Sequence, residues 1–246
     1  MKKTESTKYA LAPFYRGLER LNLSATDRQI QQFLVYYELL VEWNQKMNLT
    51  AITEFQDVIV KHFLDSLSIV KVLDLHQIGR MIDVGTGAGF PGIPIKIMFP
   101  ELSCTLLDSL NKRITFLNAV CNELGLNEIE AVHGRAEEFA RNKAFREEYD
   151  LCLSRAVANL STLSEYCLPF VRVGGSFISY KSGKIQEEFE AAQNAIRMLG
   201  GTADTPLSFR LDETDQSRSF VVIRKTKQTG GKYPRKAGLP GKEPLK

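Results

Sequence analysis

The chain has 246 residues, 43% of them apolar and 25% charged, with a net charge of +3 at neutral pH. These proportions are those of an ordinary folded protein and exclude a collagen-like, wholly disordered or coiled-coil chain, and the length suits one elaborated domain. No apolar stretch is long enough to span a bilayer, and Met1-Lys2-Lys3-Thr4-Glu5 runs into polar residues instead of an apolar signal core, so a cytoplasmic protein without membrane attachment is expected. Cys104, Cys121, Cys152 and Cys167 lack Cys-x-x-Cys spacing and read as reduced, buried thiols. With His62, His76 and His133 they form no ligand pattern, so no metal site is expected.

In chain order, residues 1–24 carry only weak helical signals. Thr26-Asp27-Arg28-Gln29 offers a capping box, followed by Ile30, Phe33, Leu34, Tyr37 and Val41 at helical spacing up to about Met47. Thr53-Glu54-Phe55-Gln56 repeats the capping arrangement and opens a second helix with Phe55, Ile59, Phe63 and Leu67 as its apolar stripe. From Met81 short apolar runs alternate with helical patterns, the mark of a parallel sheet covered by helices. Strands are expected at 81–84, 104–107, 130–132, 151–153, 176–180, 208–211 and 220–224, and helices at 91–98, 112–124, 136–147, 160–170 and 184–199. The last two strands lack a helix between them, which suggests a doubly wound seven-stranded sheet closed by an antiparallel pair.

The division expected is a helical extension over 1–78, an α/β domain over 79–226 and a Gly/Pro-rich arm over 227–246. Charge is concentrated in that last part. Arg224, Lys225, Lys227, Lys232, Arg235, Lys236, Lys242 and Lys246 meet the single acid Glu243, so residues 224–246 carry +7 and the remainder −4. A basic tail on a mildly acidic body suits an anionic partner such as nucleic acid, or simple solubility.

The most informative segment is Asp83-Val84-Gly85-Thr86-Gly87-Ala88-Gly89-Phe90-Pro91-Gly92, directly after a strand and before a helix. Glycines there let backbone approach a ligand, and the helix N-terminus offers free N–H groups. A dinucleotide fingerprint would need a third glycine at position 90, where Phe stands, which argues against a nicotinamide-dependent oxidoreductase. Asp108 closes the second strand about twenty residues on, where a carboxylate accepts ribose hydroxyls. Glu137, in Gly134-Arg135-Ala136-Glu137 after the third strand, is placed to meet an adenine amino edge. Helix capping by Asp108 and a solvated first-turn acid at Glu137 are the plainer readings.

These features are similar to the fold of S-adenosylmethionine (SAM) dependent methyltransferases. Together with Trp43-Asn44-x-x-x-Asn48-Leu49-Thr50, His62-x-x-Asp65-Ser66-Leu67, Ser154-Arg155-Ala156 and Tyr233-Pro234-Arg235-x-x-Gly238-x-Pro240, the glycine loop resembles the bacterial GidB family of small-subunit rRNA guanine-N7 methyltransferases. The resemblance implies a class I Rossmann-like fold and methylation of one guanine N7 in 16S rRNA, free or within the small ribosomal subunit. It implies SAM contacts at Gly85, Phe90, Asp108 with its neighbours Ser109 and Leu110, Ala136, Glu137 and Arg155, to which the reading of the loop itself adds Asp83, Gly87 and Gly89.

No Pro-Cys nucleophile and no Asp/Asn-Pro-Pro-aromatic sequence is present, which fits attack by a ring nitrogen whose lone pair is already free. Catalysis then rests on positioning, with Arg155 and Asn48 as candidates; a helix C-cap is the alternative for Asn48, and a structural pair with Glu137 or Asp150 for Arg155. RNA contacts are expected from Lys61, Lys112, Arg113, Lys181, Lys184, Arg235 and Lys236, with Tyr233 stacking on a base. His62 reads as a substrate-side residue or a satisfied core histidine. A monomer is expected. The competing functions are a non-catalytic RNA-binding assembly factor that retains a SAM pocket, and a SAM methyltransferase acting on another substrate.

Overall fold

The computed structural model describes residues 9–155, 157–183, 185–211 and 214–246, so the readings for Lys184, Ala156 and the first eight residues lie outside it. Three longer N-terminal stretches are helical, with a short 3-10 turn (Leu75–Gln77) before the sheet. They are α1 (Ala12–Arg20), α2 (Asp27–Met47) and a continuous segment made of α3 (Phe55–Val58), a π turn (Ile59–Leu64), α4 (Asp65–Leu67) and a 3-10 turn (Ser68–Lys71). Thr26 and Gln29 close the expected capping box, and α2 ends on Asn48, whose φ of 50° makes it a left-handed C-cap. The second expected box does not form. Glu54, not Thr53, precedes α3 and supplies no side-chain cap, while the Thr53 carbonyl accepts from the Tyr37 hydroxyl.

The sheet consists of β1 (Arg80–Val84), β2 (Ser103–Asp108), β3 (Ile129–His133), β4 (Tyr149–Arg155), β5 (Val171–Ser182), β6 (Gly201–Ala203), β7 (Leu207–Arg210) and β8 (Ser217–Lys225). Its order is β3-β2-β1-β4-β5-β8, with β6 and β7 sharing the last edge. All neighbours run parallel up to β5, and β8 is antiparallel to it. The seven expected positions are therefore present, with one edge position divided into two short strands around Asp204-Thr205-Pro206, where proline has no N–H to give to the ladder. The crossovers are α5 (Gly92–Met98), α6 (Asn111–Glu123), α7 (Ala136–Phe139), α8 (Leu160–Cys167) and α9 (Gln186–Met198), and the arm adds α10 (Leu239–Lys242). The helix expected over 136–147 stops at Phe139. Asn142 Oδ1 takes the Ala144 N–H, and the Arg146 guanidinium takes the Ala140 carbonyl, so the chain turns instead of continuing. Among the described residues no helix is long and apolar enough to cross a membrane.

The N-terminal helices share one core with the sheet. Phe14, Phe33, Phe63, Tyr36 and Phe90 form a chain of rings with centroids 4.9 to 5.5 Å apart, from α1 through α2 to the glycine loop. Helix C-termini leave carbonyls without partners, and α2 supplies them. Gln29 Nε2 donates to Ile97 and Met98 at the end of α5, and Gln32 Nε2 to Leu124 after α6. The buried Tyr36 hydroxyl donates to the Ala88 carbonyl within the loop. Tyr36→Phe should lower stability by about 1 kcal/mol, the worth of one buried hydrogen bond. Urea denaturation would show an earlier midpoint at constant slope; an unmoved midpoint would count against this tie between α2 and the loop.

Candidate functional site

The sheet reverses direction of growth between β1 and β4, and ligands bind such sheets beyond the strand carboxyl ends at that point. Gly85, Gly87 and Gly89 take φ of 73°, 63° and 96°, a region costly for any side chain. A Cβ at Gly85 would lie 2.6 Å from Val157, and one at Gly89 would lie 2.7 Å from the Tyr36 hydroxyl, whereas one at Gly87 would meet nothing within 4 Å. The open side of the loop is therefore at Gly87.

Asp83 does not face that open side. Fully buried, its Oδ2 accepts from the Thr86 hydroxyl and the Gly92 N–H, and burial pushes its pKa up to about 6. Those two bonds hold the loop from beneath. Phe90 is likewise buried, stacked on the His62 ring at 4.5 Å with the Arg155 guanidinium 5.1 Å from its centroid. Asp83 Oδ1 has no hydrogen-bond partner among the described residues.

A pocket of about 140 Å³ lies beside the loop, lined by Gly85, Asp108, Ser109, Ala136, Glu137, Val157 and Tyr166 among others. This is the meeting of β1, β2, β3 and β4 ends anticipated for a nucleoside. Asp108 accepts from the N–H groups of Gly87 and Leu110, each at 2.9 Å, and pairs with Arg113 at 3.1 Å. Arg113 is thus held beside the pocket by Asp108, with its side chain still 32% exposed. Glu137 lines the pocket while its Oε1 accepts the Gly238 N–H at 2.8 Å. Leu110 is exposed at the start of α6, outside the pocket lining. Arg135, exposed on the same lining, was missed by sequence reasoning although it stands in the tetrapeptide that holds Glu137.

A larger cleft of about 880 Å³ opens between the π turn and the ends of β4, β5 and β8. Its centre is Asp65, with a side chain only 3% exposed, held by Arg155 on Oδ2 and Arg218 on Oδ1, both at 2.8 Å. Arg155 therefore pairs with neither Glu137 nor Asp150. His62 Nε2 lies 2.8 Å from Thr50 Oγ1, and Asn44 Oδ1 accepts the Thr50 N–H, so residues of the two N-terminal motifs converge here. Asn48 does not join them; its side chain is exposed and it serves as the helix cap. Lys61 and Lys181 line the cleft, paired with Asp57 and Glu188 at 2.8 and 2.7 Å. Sequence reasoning gave Asp65 and Arg218 no role. Asp65 stood in a recognised motif, but nothing local signals Arg218, a cation on a strand.

The arm is not free. Tyr233 is buried, so its ring faces are covered and cannot stack on a base, and Arg235 is spent on the fully buried Glu165 at 2.7 Å. Lys236 is exposed, as is Lys112, whose Nζ reaches the Met47 carbonyl at 3.4 Å. Among the described residues no group of three or more His, Cys, Asp or Glu side chains is placed to hold a metal.

Burial, and then the Arg155 guanidinium, push the His62 imidazole from 6.5 down to about 3, so it is neutral at physiological pH. Below pH 6.5 the unfolded chain binds a proton that the folded chain refuses until about pH 3. His62 therefore favours folding above pH 6.5, and that contribution is lost as pH falls toward 3. His62→Gln should flatten this part of the stability profile, followed by urea denaturation from about pH 7 to about pH 4; an unchanged slope would count against a neutral buried imidazole.

A family model described as rRNA small subunit methyltransferase G matches residues 29–215. The ribosomal RNA small subunit methyltransferase G of Lachnoclostridium phytofermentans is 53% identical over 232 residues, covering 94% of this chain and 96% of the relative. That of Alkaliphilus metalliredigens is 54% identical over 230 residues, with coverage of 94% and 96%. Among solved structures, Pyrococcus horikoshii TYW2 in complex with MeSAdo is 13% identical with a TM-score of 0.51, over 66% of this chain and 62% of that one. StiE O-MT is 15% identical with a TM-score of 0.51, over 66% and 73%. At such identity these two speak for the fold alone, whereas the sequence matches extend over nearly the whole chain. The chain belongs to the rRNA small subunit methyltransferase G family of SAM-dependent enzymes.

Proposed function

We propose that this protein transfers the methyl group of SAM to N7 of one guanine in 16S rRNA, with the nucleoside of SAM in the pocket at Asp108 and Glu137 and the target nucleotide in the cleft at Asp65. The observation that carries this reading is the adjacency of the two sites. The pocket is lined by Val157 and the cleft by Arg155, two residues at the end of β4 and just beyond it. The residues present suit SAM. Open space at Gly87 leaves room for close backbone approach, and buried carboxylates at Asp108 and Glu137 suit the hydroxyl and amino donors of an adenosine.

SAM supplies an electrophilic methyl group on a sulfonium. Guanine N7 carries its own lone pair, so no side chain has to remove a proton, and the protein's task is alignment and exclusion of water. A guanine methylated at N7 gains positive charge, which a bare cation beside it would oppose. In the cleft Arg155 and Arg218 share the single carboxylate of Asp65, Lys181 is paired with Glu188, and His62 is neutral, so none of these cations is bare. Lys61 and Lys181 at the cleft wall suit the phosphates of an RNA strand.

The test uses the full chain, labelled SAM and small ribosomal subunits from cells lacking the gene, with mapping of the labelled nucleotide. One N7-methylguanine in 16S rRNA is the expected product. Label in another RNA or in protein, or none while SAM binds in a parallel titration, would overturn the assignment.

A further inference from the structure

The net charge of the arm suits RNA, yet its contacts run to the cofactor pocket. Arg146 donates to the Thr229 and Tyr233 carbonyls at 2.7 and 3.0 Å, drawing the arm against the turn after α7. Arg235 then grips Glu165 with two nitrogens, Nε to Oε1 at 2.9 Å and Nη2 to Oε2 at 2.7 Å. Further on, Thr162 Oγ1 donates to the Pro240 carbonyl at 3.0 Å. Between these two anchors the chain turns at Gly238, with φ 83°, and aims its N–H at Glu137 Oε1. Glu137 is 5% exposed and lines the nucleoside pocket, as does Tyr166, the neighbour of Glu165.

We infer that the C-terminal arm is a positioning element of the SAM pocket, in which the Gly238 amide fixes the Glu137 carboxylate and leaves its Oε2 to the amino edge of the adenine, while the Arg235–Glu165 pair holds the arm in place. This rests on the assignment of that pocket to SAM. A carboxylate with one oxygen tied to the backbone has its orientation set before the ligand arrives, which lowers the cost of binding. The buried Glu165 has no other charge partner than Arg235 among the described residues, so the anchor and the pocket wall depend on each other.

The experiment compares the full chain with an Arg235→Met, Glu165→Gln double variant, which releases the anchor without stranding a buried charge. SAM affinity is measured by calorimetric titration and KM separately for SAM and for RNA. The double variant should bind SAM about tenfold more weakly, the equivalent of one hydrogen bond to a charged group, with KM for RNA unmoved. Unchanged SAM affinity, or a rise in KM for RNA alone, would overturn the inference and return the arm to the RNA. Should the variant fail to fold, hydrogen exchange on the unaltered chain decides, because SAM should slow exchange over residues 236–243 and equal rates with and without SAM would overturn it. An unaltered chain that binds no SAM would defeat the pocket assignment itself, a result distinct from either.

Discussion

A carboxylate buried to within 3% of full occlusion is tolerable only if its charge is answered, and Asp65 is answered twice. Arg155 comes from the end of β4, Arg218 from the start of β8, and Asp65 itself from the helical segment that precedes the sheet. Three elements far apart in the chain are thereby held at the mouth of one cleft. The arrangement extends outward. Arg155 lies over Phe90, Phe90 stacks on His62, and His62 meets Thr50, so the end of the glycine loop and the turn after α2 share the same support. The π turn that carries His62 directly precedes Asp65; such turns add a residue to a helix and re-aim the side chains beyond it.

Long polar side chains also close exposed backbone at the edges of the α/β core. Gln29 and Gln32 do this for α5 and α6. Lys96, buried at the end of α5, donates to the Pro100 and Leu102 carbonyls. Lys225, at the end of β8, reaches the carbonyls of Leu168 and Val171 and pairs with Glu147. Arg146 serves the arm in the same way. Each of these cations gives up water, and in each case carbonyl dipoles replace it. This explains how a chain with charged residues inside its helical and C-terminal edges keeps one continuous fold.

The features legible in the sequence were local. The Thr26 capping box, the glycine loop and the strand positions are written in patterns within a few residues or in strand alternation, and the structure contains them. Long-range pairing was not legible. Asp65 and Arg218 are 153 positions apart, and Glu137 and Gly238 are 101 apart. No periodicity links such residues, and a count of charges cannot say which are paired. The arm shows the consequence, because the +7 charge of residues 224–246 does not reveal that Arg235 is paired with Glu165 and Tyr233 is buried. Asp83 illustrates the same limit, since proximity to a glycine loop suits a ligand contact and a loop support equally, and its bonds to Thr86 and Gly92, both through Oδ2, are seen only in the folded chain.

The most direct test of Asp65 as the shared counter-ion of the cleft is single-turnover methyl transfer by an Asp65→Asn variant at saturating SAM, with SAM affinity and the melting transition followed alongside. Asn keeps the volume and removes the charge that Arg155 and Arg218 share. Transfer slowed by about tenfold or more is expected, with SAM affinity held and partial recovery in Asp65→Glu. Transfer at the unaltered rate in a folded Asp65→Asn protein would contradict the role given to this carboxylate.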